Sequence, residues 1–321
     1  MSSSTVTVVI PTKDRAELLA LTLASVLRQR HVAVDVVVVD DGGQPGTEDL
    51  VRALAPAATV VRHETSRGVS ASRNSGLARA TTPWVAFLDD DDLWSADKLA
   101  RQLQAMAAAP ASLWTCSTAV MFTGAGEVLG LQHPPERDGL AEVLHTRNTM
   151  PGGGSGVVVD RQLMYEIGGF DERLSSLADW DCWIRLAERA PLATVCAPDV
   201  GYRIHATSML HDNARSEREL SLLLDKHADS RARLGVEFDR TRWDYARERL
   251  AYSGGHWLVG AQLSWVLATR HRQYSAAVKP LAELLPQFVH RARRHRRLDP
   301  DRALVEQARA WLAEHPLVGP A

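Results

Sequence analysis

Over residues 6–88 the chain alternates short β-branched runs with stretches of helical periodicity, and this rhythm constrains the fold more than any other feature. Val6–Ile10, closed by Pro11, predicts a first buried strand. Leu19, Leu23, Val26 and Leu27 then fall at helical spacing, and Asp14 is placed to cap that helix. Val34–Val39 predicts a second strand, Thr47–Leu54 a helix, Thr59–Arg62 a third strand, residues 70–80 another helix, and Pro83–Leu88 a fourth strand. Such alternation implies an α/β fold, a parallel, doubly wound sheet with helices on both faces.

Parallel strands send their carboxyl ends to one edge, and ligands of open α/β sheets bind there. The second strand empties into Asp40-Asp41-Gly42-Gly43 and the fourth into Asp89-Asp90-Asp91-Asp92, so two acidic clusters far apart in sequence are expected to converge. Four adjacent carboxylates repel one another. A solvated turn tolerates them, and a divalent cation held among them does so better. One cluster suits ribose hydroxyls or a base edge, the other a cation.

Composition narrows the function. The chain has 321 residues, 45% hydrophobic and 24% charged, as in a soluble globular protein with material for two lobes. Residues 1–210 carry 18 Lys+Arg against 25 Asp+Glu, whereas residues 211–321 carry 19 against 14. The acidic front argues against nucleic-acid binding, which depends on neutralising phosphates. Cys116, Cys182 and Cys196 are odd in number and lack a CxxC pair, which suits a reducing cytosol. The amino terminus has no basic leader region, and no apolar run approaches the roughly 20 residues of a membrane span. A cytoplasmic protein is expected.

Beyond the acidic run, Ala96–Ala108 predicts a helix and Leu113–Thr123 a strand, with an irregular segment to Met150. Pro151-Gly152-Gly153-Gly154-Ser155-Gly156 predicts a mobile loop at the cleft, or alternatively an ordinary hinge, feeding a strand at Val157–Val159. Neither GxGxxG opening a helix nor GxxxxGK[ST] occurs, which disfavours dinucleotide and P-loop sites. Gly168–Glu172 predicts a turn. Asp179 and Asp181 open a helix, where capping and dipole effects explain acids as readily as catalysis does. A short strand near Ala193–Val195 and a turn at Pro198 precede Tyr202-Arg203-Ile204-His205. From His211 the pattern is helical, with Trp243, Trp257, Trp265 and Trp311 as packing anchors, and His290–Arg297 is a compact basic run.

Taken in order, the motifs Val8-Val9-Ile10-Pro11-Thr12, Val38-Val39-Asp40-Asp41-Gly42, Gly68…Arg73-Asn74, Phe87-Leu88-Asp89-Asp90-Asp91-Asp92, Gly168-Gly169-Phe170-Asp171 and Asp179-Trp180-Asp181 resemble family 2 of the glycosyltransferases. The resemblance runs from Val6 to His205. It implies the A-type glycosyltransferase fold, with a mostly parallel Rossmann-like sheet and a helical C-terminal extension. Residues 1–105 would form the nucleotide-sugar half, 106–210 the acceptor half of the same catalytic domain, and 211–321 the helical region. The last would cover the site, mediate self-association as a homo-oligomer, or touch an anionic membrane surface through His290–Arg297, at the inner face of the membrane.

The resemblance also implies roles. Thr12 and Asp40 or Asp41 would contact the base and ribose of a UDP-, GDP- or dTDP-sugar, and Arg73 would lie near its diphosphate. Asp89 and Asp91 would be the ends of a DxD motif, Asp91 being the direct ligand of Mg2+ or Mn2+. Asp179 would deprotonate the acceptor hydroxyl, with Asp181 as the runner-up, and His205 would contact donor or metal. Asp90 fills a variable position, and Asp92 caps the next segment. A single displacement by the hydroxyl would invert the anomeric centre. The acceptor would be a surface polysaccharide, a lipid-linked sugar or a secondary metabolite. Two departures stand out: Ala178 replaces a frequent acid before the base, and Asp14 beside Lys13 replaces a frequent Asn. The rival readings are an aspartate-dependent phosphohydrolase and a non-catalytic sugar-nucleotide binding module.

Overall fold

The structure, a computed structural model, describes residues 5–204, 213–253, 257–271 and 301–315. In the front half, β1 (Thr5–Thr12), β2 (Ala33–Asp40), β3 (Thr59–Arg62) and β4 (Trp84–Phe87) alternate with α1 (Ala16–Leu27), α2 (Thr47–Leu54) and α3 (Val69–Leu77). These strands are mutually parallel in the order β3-β2-β1-β4, with Thr12 in register with Asp40 and Val9 with Phe87. The valine-rich runs are buried on both faces, which is what a helix-covered parallel sheet requires.

The rest of the sheet is mixed. Its remaining strands are β5 (Leu93–Trp94), β6 (Trp114–Thr123), β7 (Val128–Gln132), β8 (Val157–Asp160) and β9 (Leu192–Ile204). β8 runs antiparallel to both β4 and β6, β9 is parallel to β6, β5 is antiparallel to β9, and β7 pairs with β6. One continuous sheet therefore joins the expected halves, and the boundary at 105/106 falls inside α4 (Lys98–Ala108). α5 (Leu140–Thr146), α6 (Arg161–Glu166) and α7 (Ala178–Ala187) complete this part of the chain.

Several local expectations are corrected. Asp14 does not cap α1; it adopts φ 55° and its Oδ1 accepts the Gln44 N–H at 2.6 Å, so it ties two loops together. The segment before Met150 is not irregular, for it contains β7 and α5. β9 is a 13-residue strand rather than a short one, because β6 follows it through register shifts around Ser117–Ala119. α7 begins at Ala178, which places Asp179 in the first turn rather than at the cap.

Two cores lie on opposite faces of the sheet. One combines Val6, Val8 and Ile10 with Leu19, Leu23, Val51 and Leu99 of the covering helices. The other combines Val9, Val37 and Phe87 with Leu77, Trp180, Trp183 and Ile184. The tail contributes α8 (Asn213–Lys226), α9 (Ala228–Leu234), α10 (Arg240–Ser253), α11 (Trp257–Arg270) and α12 (Arg302–Leu312). α8 buries Leu220 and Leu223 in the second core, while α12 places Val305, Ala308 and Leu312 against Leu93, Val120 and Phe122. Trp311 donates its Nε1–H to the Pro198 carbonyl at 2.7 Å, and Trp243 stacks on Trp180 with centroids 5.9 Å apart. Trp265, by contrast, is 67% exposed and is no packing anchor. The side chain of Trp257, the residue His205 and the run His290–Arg297 lie outside the described residues.

Candidate active site

The carboxyl ends of β1, β2 and β4 open onto a cleft of about 570 Å³ lined from both halves of the sheet and from the tail. Thr12, Asp41, Arg73, Asp89, Asp91 and Asp179 all face it, so the topology gathers residues from five separate stretches of sequence. Asp40 and Asp181 are not among its lining residues.

Asp41 is a scaffold within the cleft wall. Its Oδ1 accepts from the Arg67 N–H at 2.8 Å and pairs with His63 Nδ1 at 2.7 Å; its Oδ2 accepts from Ser66 Oγ at 2.7 Å and from the Gly68 N–H at 2.9 Å. Burial pushes this carboxyl up, but these hydrogen bonds outweigh it and hold the group down at about 2. The result is a rigid 63–68 loop delivering the chain into α3. Asp40 ties the loop after β2 to the end of β3, accepting from the Gly43 N–H and from Arg62.

Arg73, on α3, is 4% exposed and reaches Asp89 Oδ1 at 2.5 Å. Its guanidinium lies over Phe170 with 5.2 Å to the ring centroid. That ring is placed by the Gly-Gly-Phe-Asp turn, because Asn74 clamps it: the Phe170 N–H donates to Asn74 Oδ1, and Asn74 Nδ2 donates to the Phe170 carbonyl. Gly169 has φ 68°, and a Cβ there would stand 2.6 Å from Asn74 Oδ1. The paired motifs Arg73-Asn74 and Gly168–Asp171 are thus two sides of one support.

The four consecutive acids divide by environment. Asp89 and Asp91 sit at the lip, their side chains 28% and 15% exposed. Asp90 is buried; it accepts from Thr12 Oγ1 at 2.6 Å and from Arg15 Nη1 at 3.0 Å, and the same Arg15 nitrogen reaches Asp91 Oδ2 at 2.7 Å. Burial and the charge of Asp91 raise the Asp90 carboxyl to about 6, Arg15 opposing. Asp92 does not cap the following segment. It is fully enclosed, accepting from Ser155 Oγ and from the Arg203 N–H, and burial with its charged neighbours pushes it well above the ordinary carboxylate range.

Ser155 changes the reading of the glycine loop. It accepts the Asp89 N–H at its Oγ and the Trp94 indole N–H at its carbonyl, while Gly152 N–H is held by Gln132. The loop faces the cleft through Gly153 but is fastened rather than free. Its glycines are there for approach: a Cβ on Gly154 would lie 2.7 Å from Arg73 Nη2.

Asp179 enters from α7 on the far side. Burial raises its carboxyl, and the positive charge of Arg73 opposes this. Asp181, two residues on, points the other way. It is completely buried and pairs with Arg185 at 2.6 Å, with Lys226 at 2.8 Å and with His227 Nε2 at 2.8 Å, interactions that overcome burial and lower its carboxyl. Asp181 therefore does not face the cleft and anchors α7 to the tail. Nearby, buried His145 pairs with the exposed Glu188 at 2.8 Å and packs edge-on against His227.

Arg15, Ser155, Tyr202, Arg203 and Trp243 also shape the cleft, and sequence reasoning missed them as site residues. Only Arg15 carried a usable signal, as a cation three residues past the first strand end, on the edge where the four acids emerge. The others are brought in by pairings between distant segments.

A parallel nucleotide-type edge continued by a mixed sheet, with carboxylates from both parts facing one cleft, defines an A-type glycosyltransferase fold. Solved structures agree. The chain superposes on Staphylococcus aureus TarS 1–349 with a TM-score of 0.53, at 18% identity, covering 86% of this chain and 88% of that one. It superposes on a Pyrobaculum calidifontis mannosyltransferase, solved with GDP-Man and Mn2+, with a TM-score of 0.50 at 20% identity, covering 96% and 84%. Residues 7–158 of the chain match the family model of glycosyl transferase family 2. Among curated proteins it is 36% identical over 104 residues to a putative teichuronic acid biosynthesis glycosyltransferase of Bacillus subtilis, a match covering 32% of this chain and 41% of that protein's length.

Proposed function

We propose that the chain is a metal-dependent, inverting glycosyltransferase that moves a sugar from a nucleoside-diphosphate donor to an acceptor hydroxyl. The observation that carries this reading is the meeting of Arg73, Asp89, Asp91 and Asp179 in one cleft, with Asp179 electrostatically coupled to Arg73 and Asp89. The match of residues 7–158 to the glycosyl transferase family 2 model and the molecules named with the structural neighbours, UDP in one TarS complex and GDP-Man with Mn2+ in the mannosyltransferase, support it.

Both oxygens of Asp41 are already saturated, so the nucleoside is better served by the loop that Asp41 organises, together with Thr12 and Lys13, which line the same end of the cleft. Arg73 would hold diphosphate oxygens with a guanidinium fixed by Asp89 and Phe170. Asp89 and Asp91 offer hard anionic oxygens at the lip, a donor set that fits Mg2+ or Mn2+. When bound, such an ion would offset the charge that grows on the departing diphosphate. Asp179, its basicity raised by burial, would accept the acceptor's proton as its oxygen attacks the anomeric carbon. No enzyme nucleophile is needed, which sets this reading apart from an aspartate-dependent phosphohydrolase.

A thermal-shift panel of UDP-, GDP- and dTDP-sugars, with and without Mn2+, tests the proposal. Stabilisation by one nucleotide that depends on the ion supports it, whereas no response across the panel overturns it. Asp179→Asn should bind that donor normally while turnover falls by about 10²–10⁴-fold; unchanged turnover would return Asp179 to a structural role.

A further inference from the structure

α7 carries Asp179 in its first turn, yet its own N-cap residue, Leu177, provides no capping side chain. The amides at the entry of a helix also need acceptors, and a loop leading into an uncapped helix is free to fray. Here the acceptor comes from the tail. Glu219 of α8 is 6% exposed, and its Oε2 accepts the Ser175 N–H at 3.1 Å and the Leu177 N–H at 3.0 Å. Both amides belong to the segment that lines the cleft immediately before Asp179. We propose that Glu219 is a positioning residue for catalysis: a carboxylate lent by α8 that clamps the entry loop and N-cap amide of α7 and fixes where Asp179 stands in the cleft.

Three observations converge on this role. The carboxylate is buried against backbone donors, where charge-assisted bonds are strongest, and it stands at the positive end of the α7 dipole. Asp181, two residues beyond Asp179, is gripped by Lys226, the last residue of α8, and by His227 immediately after it. Leu220 and Leu223, on the face between these two attachments, lie in the core shared with Trp180 and Trp183. α8 thus holds α7 at two polar points joined by an apolar seam, and Glu219 is the point next to the proposed base. A rotation of α7 by a fraction of a turn would carry Asp179 away from Arg73.

The inference rests on the reading of Asp179 as the base, so its test uses two readouts. Glu219→Ala in the full chain is expected to lower kcat by about 10- to 100-fold with little change in donor KM, and Glu219→Gln, which retains an acceptor oxygen, to recover most of it. Hydrogen exchange of the Ser175 and Leu177 amides should quicken in Glu219→Ala and return towards the wild-type rate in Glu219→Gln. Unchanged amide protection in Glu219→Ala overturns the positioning role whatever Asp179 does. Faster exchange with wild-type kcat per folded molecule shows a purely structural cap and also overturns it. If Asp179→Asn keeps full turnover, the base assignment falls, and amide exchange alone then decides whether Glu219 fixes α7.

Discussion

At the residue scale, three aspartates with the same side chain have three different fates, and environment decides each. Asp41 is held at about 2 by four hydrogen bonds, below an ordinary value of 3.8. A depressed carboxyl contributes stability that is fully present above its unfolded value and fades as pH falls towards the folded one. The stability gap between wild type and Asp41→Asn should therefore narrow between pH 4 and pH 2 in urea titrations. Asp41→Ala should cost about 3 kcal/mol at pH 7, since it strands buried donors. Asp179 moves the other way. Its raised carboxyl places the acid limb of the pH–kcat profile above the usual carboxylate range, with activity lost as pH falls through it. Because Arg73 opposes that rise, Arg73→Met should move the limb further up in whatever activity survives. Asp181→Asn should separate stability from chemistry: about 3 kcal/mol lost in thermal unfolding from an ion network left unbalanced, with no shift of that acid limb.

At the scale of elements, the legible part of the chain was whatever short-range pattern specifies. β1 to β4 announce themselves because strands buried on both faces must be apolar throughout, and their carboxyl ends are then placed by parallelism. The convergence of Asp41 with Asp89 and Asp91 came from that logic alone. The reversal of β8, the length of β9 and the helix hidden in 140–146 did not, since each is settled by partners distant in sequence rather than by local propensity. Asp179 and Asp181 could not be told apart for a related reason: both belong to the first turn of α7, and only the position of α8 shows which face looks into the cleft. Glycines illustrate the same limit. The triplet at 152–154 suggests looseness, whereas the structure shows close approach, so Gly154→Ala should push Arg73 from its place. The expected outcome is weaker donor binding in calorimetry and a loss of about 1–3 kcal/mol in stability.

For the whole molecule, the tail is built into the body that carries the sheet rather than appended to it. α8 continues the core beneath α7, and α12 covers the far end of the sheet at β6 and β9. Leu312→Ala should cost about 2–5 kcal/mol in chemical denaturation, comparable to a core site of the front half, if α12 and the sheet unfold as one cooperative unit. Among the described residues no helix is long and apolar enough to cross a membrane. The placement of α12 also bears on biogenesis. β5, β6 and β9 leave the ribosome well before α12, separated from it by every helix from α8 to α11. Until α12 arrives, Leu93, Val120 and Phe122 have no cover from it, and a nascent chain paused in that interval presents an apolar patch beside an open strand. Synthesis of this protein should accordingly draw on chaperones late, after the parallel edge β1–β4 has already formed.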